Sequence, residues 1–126
     1  MADLSGALSV SASGMGAQSS RLRHVAENIA NADTPGYHRK TVSFRTDDDA
    51  GLVAPGPVQL DQSPLARIFD PGHPLADDSG HHDGSNVDLV IEIADAREAQ
   101  RSYEANLSMF DQARRMTQSL FELLRR

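Results

Sequence analysis

A chain of 126 residues with 39% hydrophobic and 5% aromatic residues, and no Trp, makes one small domain with a modest core. A net charge of -6, with no basic cluster beyond Arg39-Lys40 and Arg125-Arg126, argues against nucleic acid as a partner. Without Cys, disulfides, thiolate zinc sites and a cysteine nucleophile are excluded.

All six prolines lie between Pro35 and Pro74, and no glycine follows Gly84. This divides the chain into 1–34, 35–86 and 87–126. The first part predicts a helix. Leu8, Met15, Leu22 and Ile29 are spaced by sevens, with Leu4, Val25 and Ala32 three or four residues away. Ser and Ala dominate its first half, and Gly6, Gly14 and Gly16 each cost up to about 1 kcal/mol relative to Ala. Alone, such a helix is marginal, but its small residues permit close approach of another helix. That combination fits a segment that folds on assembly. No Lys or Arg precedes Arg21 and no long apolar run occurs, so neither a cleaved hydrophobic leader nor a membrane span is expected.

The stretch from Asn28 to Tyr37 ends this helix. Pro35 and Gly36 do not suit a helix interior, and Thr34, preceding proline, favours extended backbone. Asn28 and Asn31 share one helix face beside Ile29. Two readings are open: helix-end capping, or hydrogen bonds between subunits that fix register.

The middle, 35–86, is acidic and turn-rich. From residue 33 to 86 it holds nine acids against four bases. Thr41 to Arg45 alternates as a strand does, and Leu52-Val53 and Val58-Gln59-Leu60 supply further short strands. Arg67-Ile68-Phe69 is another short apolar piece before the rigid loop Asp70-Pro71-Gly72-His73-Pro74. His73, His81 and His82 with Asp77, Asp78 and Asp83 have metal-ligand chemistry, but adjacent histidines point apart. The segment reads as a solvated polar loop, in which exchanging His81 and His82 for Ala is nearly silent. Asp47-Asp48-Asp49 lacks the spacing of a calcium loop.

The last part, 87–126, predicts the stronger helix. Asn86 is the expected N-cap, with Asp88 near the positive end of the dipole. Ala96, Tyr103, Phe110, Thr117 and Leu124 recur by sevens, with Ala99, Leu107, Ala113 and Leu120 between them. Asp111–Arg115 and Glu122–Arg126 are favourable i,i+4 pairs. Asn106 and Tyr103 offer polar tips at a packed interface.

The expected fold is therefore mainly α: long N- and C-terminal helices pairing as a coiled coil around a small β-hairpin and loop-rich middle. Each seam is narrow, so the chain calls for copies or relatives of itself to complete its core. No Gly-x-Ser-x-Gly elbow, phosphate loop or acid/base pair is present, and neither an enzyme nor a cofactor is expected. A metal-binding domain built on the His/Asp loop and a secretion adaptor or chaperone stand as alternatives.

Ser13-Gly14-Met15 with Gln18, then Asn28 to Tyr37 and Arg39-Lys40, resembles the N-terminal signature of bacterial flagellar rod and hook proteins. Asp70 to Pro74, Ala76-Asp77, Gly80, Asn86-Val87-Asp88, Glu92 and Tyr103-Glu104-Ala105-Asn106, with Phe110 and Met116, narrow the resemblance to the proximal rod. Ser85 stands where that pattern usually has Pro, and His81-His82 depart from it too. The resemblance implies a structural subunit that polymerises into a hollow, torque-transmitting drive shaft in the periplasmic basal body. Its partners would be copies of itself, other rod proteins, proteins of the membrane-ring junction and, during secretion, the type III export apparatus. Nucleic acid and membrane insertion have no part. The residues expected to assemble the rod are Leu8, Met15, Leu22, Val25, Asn28, Ile29 and Asn31, the turn Thr34-Pro35-Gly36-Tyr37, and, on the C-terminal helix, Tyr103, Asn106, Leu107, Phe110, Leu120 and Leu124.

Overall fold

Two antiparallel helices carry the fold in the computed structural model, which describes residues 4–125. The order is α1 (Leu4–Ala30), β1 (Lys40–Thr46), β2 (Val53–Leu60), β3 (Arg67–Phe69), β4 (His81–Asp83) and α2 (Leu89–Leu124). At 1.5 Å per residue the helices span about 40 and 54 Å. Asn28 meets Glu92 near one end of the pair, and Gly14 meets Asn106 further along. Continuing that register brings Leu4 beside Met116. The last two turns of α2 therefore run past the first described turn of α1.

The helices come close because their facing residues are small. Gly14 on α1 faces Asn106 on α2, and Ser11 and Ala17 on α1 and Ala99 and Ala113 on α2 are buried. A Cβ built on Gly14 would lie 2.7 Å from Asn106 Oδ1, so glycine is required by the approach itself. The buried apolar core consists only of Ala17, Val25, Ala99 and Ala113 among the described residues. The chain exposes 8691 Å², about a third more than a compact protein of its mass would.

Asp88, not Asn86, caps α2: its side chain accepts from Val90 N at 3.0 Å. Asn86 instead ties loops together, accepting from Arg39 N at 2.7 Å and donating to the carbonyls of Asp61 and Ser63. Nor do Asp111 and Arg115 pair. Asp111 meets Arg114 at 3.5 Å, and Arg126, the expected partner of Glu122, lies outside the described residues.

Two antiparallel strand pairs fill the middle, β1 with β2 and β3 with β4. The expected strand at Thr41 to Arg45 is present. The two short pieces expected at Leu52-Val53 and Val58 to Leu60 merge into one strand that begins at Val53, leaves Leu52 outside and runs through Pro55 and Pro57. A two-stranded sheet has a free edge on each strand, so missing N–H donors there are tolerated. Gly56 and Pro57 oppose Ser43 alone, which makes a bulge. The β1–β2 hairpin lies along α1, where Ser13 Oγ accepts from Val53 N at 3.1 Å.

The polar stretch near His81 is not a solvated loop. His81 to Asp83 pairs with Arg67 to Phe69, and His82 is buried. The His73 and His82 rings stack at 3.9 Å, tilted by 9°. Arg67 holds both Asp77 and Asp83 at 2.6 and 3.0 Å. A long-range strand pairing thus turns residues that look solvent-bound into a packed hairpin.

Candidate assembly interface

The Asn28–Tyr37 stretch forms a hydrogen-bonded junction that fixes how both helices meet the middle. Asn28 is 1% exposed and its amide is saturated within the chain. Its Oδ1 accepts from the Tyr37 hydroxyl and from Lys40 N, each at 2.8 Å. Its Nδ2 donates to Lys40 O at 2.9 Å and to Glu92 Oε2 at 3.3 Å. The expectation that Asn28 bridges subunits is therefore corrected: no donor or acceptor of its side chain is left for a neighbour.

Asn31 follows the capping alternative. Its Nδ2 donates to Glu27 O at 2.8 Å, and its Oδ1 accepts from Thr34 Oγ1 at 3.0 Å. Pro35 and Gly36 turn the exposed chain away from α1. Gly36 adopts a φ of 75°, a conformation that side-chain-bearing residues avoid, and its N–H donates to Gly84 O at 3.0 Å. Ser85 Oγ donates to Ala32 O, pinning the far end of the loop region against the end of α1.

Beneath this junction lies Glu92, fully buried on α2. Arg39 Nε donates to its Oε1 at 2.7 Å, and the rest of the guanidinium reaches Asp61 and Asp95 at 3.4 and 3.5 Å. Burial works against the Arg39 charge, but the hydrogen bond and charge of Glu92, with those of Asp61, outweigh it and raise its pKa. For the Tyr37 phenol burial acts the other way and raises the pKa. Lys40 and Glu27 pair at 2.8 Å on the rim. The charged cleft beside this junction, about 270 Å³, is also lined by Arg21, His24 and Phe44. Glu92 was not among the expected interface residues. Its signal was a lone carboxylate inside the apolar run Leu89-Val90-Ile91-Glu92-Ile93.

The remaining expected residues fall into two groups. Val25 is buried, and Leu8, Met15, Leu22, Tyr103, Asn106 and Phe110 are half-buried along the helix pair. Ile29, Leu107, Leu120 and Leu124 are not in the intramolecular seam, being 40%, 42%, 51% and 80% exposed. Asn106 takes the seam position that Leu107 was expected to hold. The seam follows Ala99, Asn106 and Ala113 with Ala96, Tyr103, Phe110 and Thr117, so a second set of large apolar residues stays outside. Among the described residues no three His, Asp or Glu side chains converge as a metal site, and no helix is long and apolar enough to cross a membrane.

Terminal helices paired through small residues, with large apolar residues of α2 left exposed, define a subunit that presents an apolar surface for assembly. Residues 8–38 match the family model for the flagella basal body rod protein. Residues 78–123 match the model for the C-terminal part of the flagellar basal body rod FlgEFG proteins. The flagellar basal-body rod protein FlgC of Agrobacterium fabrum is 43% identical, the alignment covering 99% of this chain and 98% of that one. Its namesakes from Salmonella typhimurium and Aquifex aeolicus are 35% and 34% identical, over 85% and 97% of this chain and 87% and 98% of theirs. The chain belongs to the FlgC family of bacterial flagellar basal-body rod proteins and is a structural subunit of that rod.

Proposed function

We infer that this protein serves the proximal part of the rod as a torque-bearing subunit, assembling through its terminal helices with copies of itself and with other rod proteins. The observation that carries this reading is the mismatch between the two sides of the helix pair. Among the described residues four small or medium apolar ones make up its buried core, while α2 alone leaves Leu107, Met109, Met116, Leu120, Phe121, Leu123 and Leu124 more than two-fifths exposed. An exposed apolar surface of that extent marks a site that a partner covers. Leu8, Met15, Leu22 and Ile29 add the α1 contribution to the same contacts.

The middle has a different task. Ion pairs of Arg39 and Lys40 hold the β1–β2 hairpin to the helix junction, and hydrogen bonds from Gly36 and Ser85 hold the β3–β4 hairpin there, which suits a segment that turns outward from a helical layer and touches neighbouring rod or ring-junction proteins. Passage through the flagellar type III export apparatus fits the marginal intrinsic stability of α1, because an unfolded chain is what such a route accepts. Torque transmission asks for stiffness and calls on no catalysis by this chain.

Deletion of the gene tests the proposal. Cells without it are expected to lose motility and to yield basal bodies lacking the proximal rod, and the wild-type chain should restore both and be recovered in the basal-body fraction. Motile deletion cells with complete rods would refute it.

A further inference from the structure

The β3–β4 hairpin has one closed edge and one open edge. In an antiparallel pair, residues bond across the ladder at alternate positions. Gly84 N donates to Ala66 O at 2.7 Å and Asp70 N to Gly80 O at 2.9 Å, so Ala66, Ile68 and Asp70 bond inward to β4. Arg67 and Phe69 therefore turn their N–H and C=O groups outward, as His81 and Asp83 do on the other side. The chain itself closes the outer edge of β4. Asp77 Oδ1 accepts from His81 N at 3.1 Å, Asp77 N donates to His81 O at 2.8 Å, and Gly36 N donates to Asp83 O at 3.3 Å. Among the described residues nothing closes the outer edge of β3.

Exposed edges are usually guarded by a charge, a proline or a covering segment. Arg67 is the charged residue of β3, but its guanidinium leans across the sheet to Asp77 and Asp83, away from the open edge. Pro71 comes only after the strand has ended. Phe69 and Leu75 beside the edge are 66% and 64% exposed. The other hairpin is better guarded. Asn28 takes Lys40 N and O on β1, Ser13 takes Val53 N on β2, and Pro55 and Pro57 have no N–H to offer. An open edge with apolar side chains beside it suits an added strand, whose main chain supplies affinity and whose alternate side chains supply selectivity.

Charge selects the occupant. Residues 66–85 hold Asp70, Asp77, Asp78 and Asp83 against Arg67 alone. Asp77 and Asp83 share Arg67, and Asp70 and Asp78 have no cationic partner among the described residues. Two copies joined β3 to β3 would bring two acidic hairpins together, which like charges oppose. The basic strand of this chain, β1, is already paired with β2. A different protein must supply the strand.

We propose that the outer edge of β3 is a strand-addition site for an extended basic segment of another protein, one in which apolar residues alternate with Lys or Arg. Such a site is independent of where in the rod the chain stands. The probe is an acetylated, amidated peptide alternating lysine and valine, added to the purified full-length chain. Binding is followed by fluorescence anisotropy and by amide exchange.

The peptide is expected to bind and to slow exchange at Arg67 N and Phe69 N by about tenfold or more, with Ile68 N, already bonded to β4, little changed. Methylating the backbone nitrogens of one alternate set of peptide residues should abolish binding, and methylating the other set should not. Glutamate in place of lysine should weaken binding by about tenfold or more. Three results would each overturn the site: exchange at Arg67 and Phe69 that ignores the peptide, equal binding by both methylated peptides, or equal binding by the glutamate peptide. Protection of Arg67 N and Phe69 N on dimerisation of the chain alone would make a second copy the occupant and overturn the choice of partner.

Discussion

Arg39 Nε and Glu92 Oε1 meet at 2.7 Å across 53 residues of sequence, and the carboxylate has no exposed surface. This contact ties the start of β1 to α2, and Asn28 ties the same carboxylate to α1. Three segments distant in sequence thus depend on one buried charge. Removing one partner of such a pair typically costs about 3–5 kcal/mol, because the other stays buried and uncompensated. Arg39→Met should lower stability by that order in chemical denaturation, and the double variant Arg39→Met/Glu92→Leu should recover most of it. Equal losses in the single and double variants would mean that the pair does not hold the junction.

Gly14 and Gly16 should respond in opposite ways. Gly14→Val puts its Cβ into Asn106, whose Oδ1 lies 2.7 Å away, so the helices must separate or Asn106 must leave its rotamer. Overpacking of that kind costs about 1–3 kcal/mol. Gly16 has nothing within 4 Å, so Gly16→Ala should stabilise the helix by about 0.5–1 kcal/mol. Thermal unfolding followed by circular dichroism separates the two.

The β3–β4 hairpin should be sensitive at His82 and tolerant at His81. The His82 ring is buried and stacked on His73, while His81 touches Phe69 with its ring centre 5.0 Å away and is only half-buried. His82→Ala should ease local opening by about 1–2 kcal/mol, seen as faster amide exchange from residue 66 to 85. His81→Ala should change those rates by less than half as much.

Acid should loosen the same hairpin only at extreme pH. The Ser79 hydroxyl, Arg67 and the His81 backbone N–H all bond the Asp77 carboxylate and hold its pKa well below the usual range. A group whose pKa is depressed in the fold lends stability that is complete above its unfolded value. That stability is lost as pH falls through the folded one. Asp77 should therefore remain ionised, and the Asp77–His81 turn intact, after other exposed carboxylates have protonated. Carboxyl chemical shifts across an acid titration report this directly, and Ser79→Ala should move the Asp77 midpoint upward.

Periodicity made both helices and their need for partners legible, and the small residues around Gly14 announced a close helix contact. It did not say which seam pairs inside the chain. α2 carries more than one stripe of 3.5-residue spacing, and large leucines looked like the inner one. The structure buries Ala99 and Ala113 instead, because α1 brings Gly14, Ala17 and Ser11 and leaves no room for Leu107. Asn28 was visible as a polar residue out of place. Its partners were not, since Tyr37, Lys40 and Glu92 reach it only after the chain turns at Gly36. β4 was hidden for the same reason: Arg67 and Asp83 are neighbours through long-range pairing alone.

Leu22, Ile29 and Leu120 allow fold and assembly to be pulled apart. Leu22 is half-buried against the helix pair, so Leu22→Asp places a charge where the single chain already excludes water. It should reduce both the helical signal of the purified chain and its incorporation into rods. Ile29 and Leu120 are 40% and 51% exposed, so an aspartate at either stays solvated in the free subunit. Ile29→Asp and Leu120→Asp should leave the circular dichroism spectrum and unfolding midpoint within about 0.5 kcal/mol of wild type, as surface substitutions usually do. Both should nevertheless abolish motility and recovery in the basal-body fraction, because the charge becomes buried only when another subunit covers it. Motile cells carrying Leu120→Asp would show that this part of α2 faces solvent in the assembled rod.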